Sequence, residues 1–170
     1  MKPAILLALA LASPSTAALT SSAPDGFVSR HEASVAVPPA KAWAALTAWQ
    51  RWWSPAHTYS GTAPVLSLKA GGGLIESWPG GEVLHATVMN ALPPKLLRLQ
   101  GGFGPLQALP VNAVLDFVLA PEGEGTKITM VYRVAGNAAA KLDTLAAPVD
   151  AVMADGFARL TRFAATGKAE

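Results

Sequence analysis

The stretch TKITMVYRVAGNAAAKLDTLAAPVDAVMADGFARLTRFAATG, residues 126–167, contains the change of period that decides the fold. From Thr126 to Val134 the side chains alternate. Ile128, Met130, Tyr132 and Val134 share one face; Lys127, Thr129, Val131 and Arg133 share the other. Period two with one apolar face reads as a strand of an antiparallel sheet that is dry on one side. From about Ala139 to Ala165 the apolar residues recur at three- and four-residue steps, through Leu142, Leu145, Val149, Val152, Met153, Phe157, Leu160 and Phe163. That spacing predicts a long amphipathic helix. Gly167 marks its end, and Pro148 kinks it by lacking an N–H for the preceding turn. A sheet with one apolar face must cover that face, and this helix is the only predicted element long enough to do so.

Upstream, Gly26 to Val37 alternates with Phe27, Ser29, His31, Ala33, Val35 and Val37 on one face, a first strand. Pro38-Pro39 ends it and opens a helix over Ala40–Thr47, followed by a second short helical piece, Ala48–Trp53, which Ser54-Pro55 stops. Further β segments are expected at Val65–Ala70, Leu74–Trp78, Val83–Leu92 and Lys95–Gln100, separated by turns rich in Gly and Pro. Gly101–Gln107 is too irregular for a strand, and Val111–Leu119 forms a hairpin with Thr126–Val134. The fold class is therefore α+β. A curved antiparallel sheet of about seven strands wraps around a long C-terminal helix, with two short helices after the first strand.

At the N-terminus, Lys2 precedes the apolar run Ala4–Ala12, which is too short to span a bilayer. Ser13-Pro14 and the small residues through Ala18 follow. This is the three-region pattern of a secretory signal peptide, residues 1–18, cut near Ala17 or Ala18. The expected location is periplasmic or secreted. Residues 19–26 read as a flexible lead-in and 27–166 as one domain, with no membrane span in the mature form.

Composition narrows the function classes. Hydrophobic residues are 51% and charged ones 14%, which excludes a disordered, solvating chain. The net charge is only +2 and the basic residues are scattered, so no phosphate track for nucleic acid is expected. There is no cysteine, which removes disulfides and thiolate chemistry. The three histidines lie in different segments without metal-ligand spacing, so no metal and no cofactor is expected.

The remaining candidates are pocket residues. Trp49, Trp52 and Trp53 fall within five positions, with Trp78 further on; each is either an aromatic wall or a pin between helix and sheet. His57, Tyr59 and Ser60 sit on the loop that follows, where they could supply hydrogen bonds or proton transfer, or merely fix the turn. Glu76 lies between Leu74 and Trp78 on one strand face. If that face is inward, desolvation would raise its pKa and make it a general acid or base; if outward, it is solvated. His85 carries the same ambiguity, with a buried structural role as the commoner outcome. Asp116 is expected to point outward with no evident partner. Phe103 and Gln107 on the glycine-rich connection, Met130 and Tyr132 on the last strand, and Met153 and Phe157 on the helix complete the expected wall. The possible catalytic groups are His57, Tyr59 and Glu76.

The segments VPPAKAWAALT (37–47), GGGLIESW (71–78), HATVMNALPPKLLRL (85–99) and GEGTKITMVYRVAG (123–136) together resemble the START-like, or helix-grip, superfamily, also called SRPBCC, over residues 27–165. WWSPAHTYSG (52–61) and GGFGPLQ (101–107) are similar to segments of a bacterial subgroup in its polyketide-cyclase and heat-shock-ATPase-activator-like branch. The resemblance implies a pocket and a lipid-like, aromatic or polyketide-like ligand, and no particular reaction. The partner expected is thus a small hydrophobic molecule. The leading reading is an exported carrier, and the alternative is a cofactor-independent cyclase, dehydratase or hydrolase using the same cavity.

Overall fold

The alternation at 126–134 places its apolar row against the C-terminal helix, as expected. Ile128, Met130, Tyr132 and Val134 are all buried. The computed structural model describes residues 16–170. The strands are β1 (Thr16–Ala23), β2 (Gly26–Val35), β3 (Val65–Leu66), β4 (Gly73–Trp78), β5 (Gly81–Leu92), β6 (Leu96–Gln100), β7 (Asn112–Glu122) and β8 (Gly125–Ala135). The helices are α1 (Pro39–Thr47) and α2 (Asp143–Thr166). The strands form one antiparallel sheet in the order β1-β2-β8-β7-β6-β5-β4-β3, so the two chain-distant segments β2 and β8 lie side by side at its centre-left.

The α+β architecture agrees with the expectation, with two differences of detail. The sheet has eight strands because residues 19–23, expected to be a flexible lead-in, continue a strand paired to β2. The cause is local: Pro24-Asp25 forms a tight turn, across which Ala23 pairs with Gly26 and Leu19 with Ser29. Leu19 packs against the core and rewards the pairing. The segment expected to be a strand over Val65–Ala70 pairs only at Val65–Leu66. The first part of the expected signal peptide lies outside the described residues.

The other short elements follow their punctuation. The second short helical piece, expected over Ala48–Trp53, is a single 3-10 turn at Trp49–Arg51. The C-terminal helix starts at Asp143, after a separate 3-10 turn at Ala138–Ala140. Pro148 lies inside α2. The β7–β8 hairpin closes at Glu122 opposite Gly125, where Gly123 takes a positive φ of 59° that a side chain would resist. α2 lays Ala146, Val149, Met153, Phe157 and Leu160 on the inner sheet face, while α1 and the tryptophans close the rest of the core.

Candidate functional site

A cavity of about 750 Å³ opens between the first half of α2 and the two loops that follow α1 and β6. One wall is Pro148, Val149, Val152 and Met153 of α2; the facing wall is Trp53, Phe103 and Pro105. Its polar groups are His57, Thr58, Tyr59, His85 and Gln107. No Lys, Arg, Asp or Glu lines it among the described residues. Such a mostly apolar concavity with a few fixed polar groups is what a small-molecule site requires.

The tryptophans divide their roles by depth. Trp49 and Trp52 are sealed in the core, with ring centroids 4.4 Å apart, and Trp52 Nε1 donates to the Leu46 carbonyl at 3.1 Å. Trp53 turns one edge to the cavity and donates its Nε1–H to the His57 carbonyl at 3.2 Å, which ties the wall to the mouth loop. α2 admits the Trp53 ring because residue 156 is glycine. A Cβ there would lie 2.6 Å from Trp53 Cζ3. Arg159 clamps the same segment from the helix side by donating to the Trp52 carbonyl at 2.8 Å.

Glu76 settles the facing question on β4. It is fully buried, with Leu74, on the inner face. Its Oε1 accepts the Ser60 N–H; its Oε2 accepts the Tyr59 N–H at 3.1 Å and lies 2.9 Å from His85 Nε2. Desolvation pushes the Glu76 pKa up, as the sequence suggested, but the bonds from Ser60, Tyr59 and His85 outweigh it and hold the carboxyl below its ordinary value. Glu76 is thus an ionised anchor for the loop after α1. It is not a proton donor, and it does not line the cavity. His85, its partner, does line the cavity, with its ring stacked on Phe103 at 6.1 Å and 14°.

The glycine-rich connection is positioned from below. Tyr132 Oη accepts the Phe103 N–H at 3.1 Å and donates to the Gly101 carbonyl at 2.9 Å, so the phenol is spent on loop geometry. Burial pushes its pKa well above the usual phenol range, which keeps the proton on. Gly101 lets this loop press against β5, since a Cβ would sit 2.2 Å from the His85 carbonyl. At the mouth, Tyr59 Oη donates to Gln107 Oε1 at 2.9 Å, and Gln107 Nε2 donates to the Leu84 carbonyl at 3.0 Å. His57 Nε2 lies 3.3 Å from Asp155 Oδ2 at the rim.

Of the twelve expected ligand contacts, Trp53, His57, Tyr59, Phe103, Gln107 and Met153 do line the cavity. Trp49, Glu76, Trp78, Met130, Tyr132 and Phe157 do not. Trp49, Met130 and Tyr132 are inward, as expected, but lie in the packed layer beneath; Phe157 packs instead on the His31 ring at 5.8 Å. Trp78 covers Gly81 at the β4–β5 turn. Asp116 is outward, as expected, yet it has partners: Arg98 in a two-pronged pair at 2.7 and 3.0 Å, and Arg133 at 3.1 Å. The partners escaped the sequence because only strand register puts Arg98 opposite Asp116. Pro148 and Val149 were also missed as lining residues. The helical period marks them as helix, but not which turns of that helix meet space instead of side chains.

A second polar cluster, Ser29, His31 and Asp150, joins β2 to α2. Both Ser29 Oγ, at 2.9 Å, and Asp150 Oδ1, at 3.0 Å, meet His31 at Nε2. A nucleophile triad needs acid and hydroxyl on opposite ring nitrogens. Here they share one, and none of the three lines the cavity, so the cluster ties helix to sheet.

The comparisons with known proteins agree with this architecture. A search of curated proteins found no match. Among solved structures, CalU16 from Micromonospora echinospora is similar with a TM-score of 0.61 at 17% identity, covering 89% of this chain and 84% of that one. Protein Ms6760 from Mycobacterium smegmatis gives 0.60 at 14%, covering 90% and 96%. A solution structure of the Aha1 dimer from Colwellia psychrerythraea gives 0.54 at 16%, covering 82% and 96%. At these identities the likeness speaks for the fold alone. The family model described as "Polyketide cyclase / dehydrase and lipid transport" matches residues 27–165, nearly the whole folded region, and the chain belongs to that family.

Proposed function

We propose that this protein binds a small hydrophobic molecule in the cavity between α2 and the mouth loops, and that it does so outside the cytoplasm. The observation that carries the binding reading is the cavity itself: about 750 Å³, walled mainly by apolar side chains. A ligand entering this open cavity would remove its apolar wall from water, and the family, whose description includes lipid transport, supports occupancy by an apolar molecule. The export reading rests on the N-terminal pattern. Cleavage after Ala18 would leave Leu19–Ala23 still paired to β2, so the mature chain would keep its edge strand.

The alternative, a cofactor-independent cyclase, dehydratase or hydrolase, needs His57, Tyr59 and Glu76 within hydrogen-bonding range of one cavity; His57 and Tyr59 line it and Glu76 does not. Instead His57 Nε2 faces Asp155 at 3.3 Å, Tyr59 Oη donates to Gln107, and Glu76 accepts from the loop backbone. The direct test is native mass spectrometry of protein purified without detergent, together with displacement of a fluorescent lipid. A copurifying mass or saturable displacement is expected, and Val152→Trp, which puts a bulky ring into the cavity from the α2 wall, should weaken it. Failure to bind any member of a broad apolar panel would overturn the binding reading.

A further inference from the structure

The cavity is electrostatically one-sided. No cationic side chain lines it among the described residues, and the acidic groups that approach it, Glu76 behind His85 and Asp155 beside His57, are both carboxylates. An anionic headgroup entering such a site would lose part of its water and meet no Lys or Arg in return, which disfavours it. The one buried polar ring on the wall is His85, whose side chain is 6% exposed.

The protonation pattern of that ring follows from its neighbours. The Glu76 carboxylate accepts two backbone N–H groups, from Tyr59 and Ser60, and has His85 Nε2 at 2.9 Å. A carboxylate without a proton can only accept, so Nε2 must carry the hydrogen. In a neutral imidazole the other nitrogen, Nδ1, is then an acceptor. His85 Nδ1 has no protein partner among the described residues and is not among their sealed, unpartnered atoms, on a ring that borders the cavity. Phe103 stacks on the ring and Tyr59 tilts against it at 5.9 Å, so its plane is held.

We infer that the cavity selects an uncharged apolar molecule bearing a hydroxyl, which donates to His85 Nδ1, with Glu76 as the positioning residue that sets the tautomer. Fatty-acid-like anions are disfavoured. This rests on the binding reading above and adds to it the polarity of the ligand.

The experiment uses three fluorescent probes of nearly one shape: naphthol, its methyl ether and naphthoate. Each is titrated at neutral pH into the full folded chain and into His85→Phe, which keeps a flat ring beside Phe103 but removes the acceptor. In the unaltered protein naphthol should bind about tenfold more tightly than the ether, the worth of one net hydrogen bond, and naphthoate most weakly. In His85→Phe naphthol and ether should become equal. A long-range proton–nitrogen NMR spectrum should show His85 protonated at Nε2 only, with the Nδ1 signal moving when naphthol binds and not when the ether binds. Equal binding of naphthol and ether by the unaltered protein would overturn the inference while leaving the hydrophobic site intact. So would naphthoate binding best. Failure of all three probes would overturn the binding reading as well.

Discussion

Glu76 and His31 are two buried titratable groups whose pKa values both move down, for different reasons. For Glu76, burial raises the pKa, but the Ser60, Tyr59 and His85 bonds prevail. For His31, burial lowers it and Asp150 only partly restores it. The consequences for stability have the same sign in different pH windows. An acid with a depressed folded pKa contributes stability above its ordinary value of 4.5 and loses it as the pH falls below. A base with a depressed folded pKa is protonated more readily in the unfolded chain, so stability also falls as the pH drops below 6.5. Urea midpoints measured from neutral pH downward should therefore decline in two stages. His31→Gln should flatten the first and Glu76→Gln the second. Glu76→Gln should also cost about 2 kcal/mol at neutral pH, because a neutral amide cannot accept from all three donors. A midpoint that stays level from pH 7 to below 4.5 would contradict both assignments.

At the scale of elements, the packing of α2 against the tryptophan segment depends on a missing methyl group. In an exposed helix, Gly→Ala stabilises by roughly 1 kcal/mol through propensity. At Gly156 the added Cβ would meet the buried Trp53 ring at 2.6 Å, and that ring is hemmed by Trp49, Phe103 and the His57 carbonyl. Gly156→Ala should therefore lower the melting temperature despite its propensity gain, with near-ultraviolet circular dichroism reporting a displaced tryptophan. A rise in melting temperature would show that Trp53 is free to move, and that the wall it forms is soft.

For the whole molecule, the sheet gains its eighth strand from residues that the sequence assigns to a signal peptide and lead-in. A chain beginning at Leu19 keeps the pairs from Leu19 to Ala23 and the packing of Leu19 on the core, whereas one beginning at Gly26 leaves β2 as a bare edge. The first should unfold in urea at the same midpoint as the full chain; the second should unfold earlier and aggregate more readily. Equal midpoints for both would mean that β1 adds nothing to the fold.

Amphipathic period determined most of the architecture by itself. The alternation over 126–134 and the helical spacing after Ala139 each name their own buried face, because one residue's direction follows from its neighbours along the same element. The alternation on β2 likewise placed Ser29 and His31 inward without structural help. What the tertiary structure alone decided was which inward residues meet solvent-filled space and which meet one another. Glu76 became an ionised anchor only because the loop after α1 brings two N–H groups to it across 16 and 17 positions of sequence. His85 became the polar point of the cavity for the same reason, since its partner and its stacking ring come from β4 and from the loop after β6. Asp116 found two arginines only through strand register. A cavity is a place where packing stops, and the point at which it stops is set by the joint placement of α2, the tryptophans and the mouth loops, which no single segment encodes.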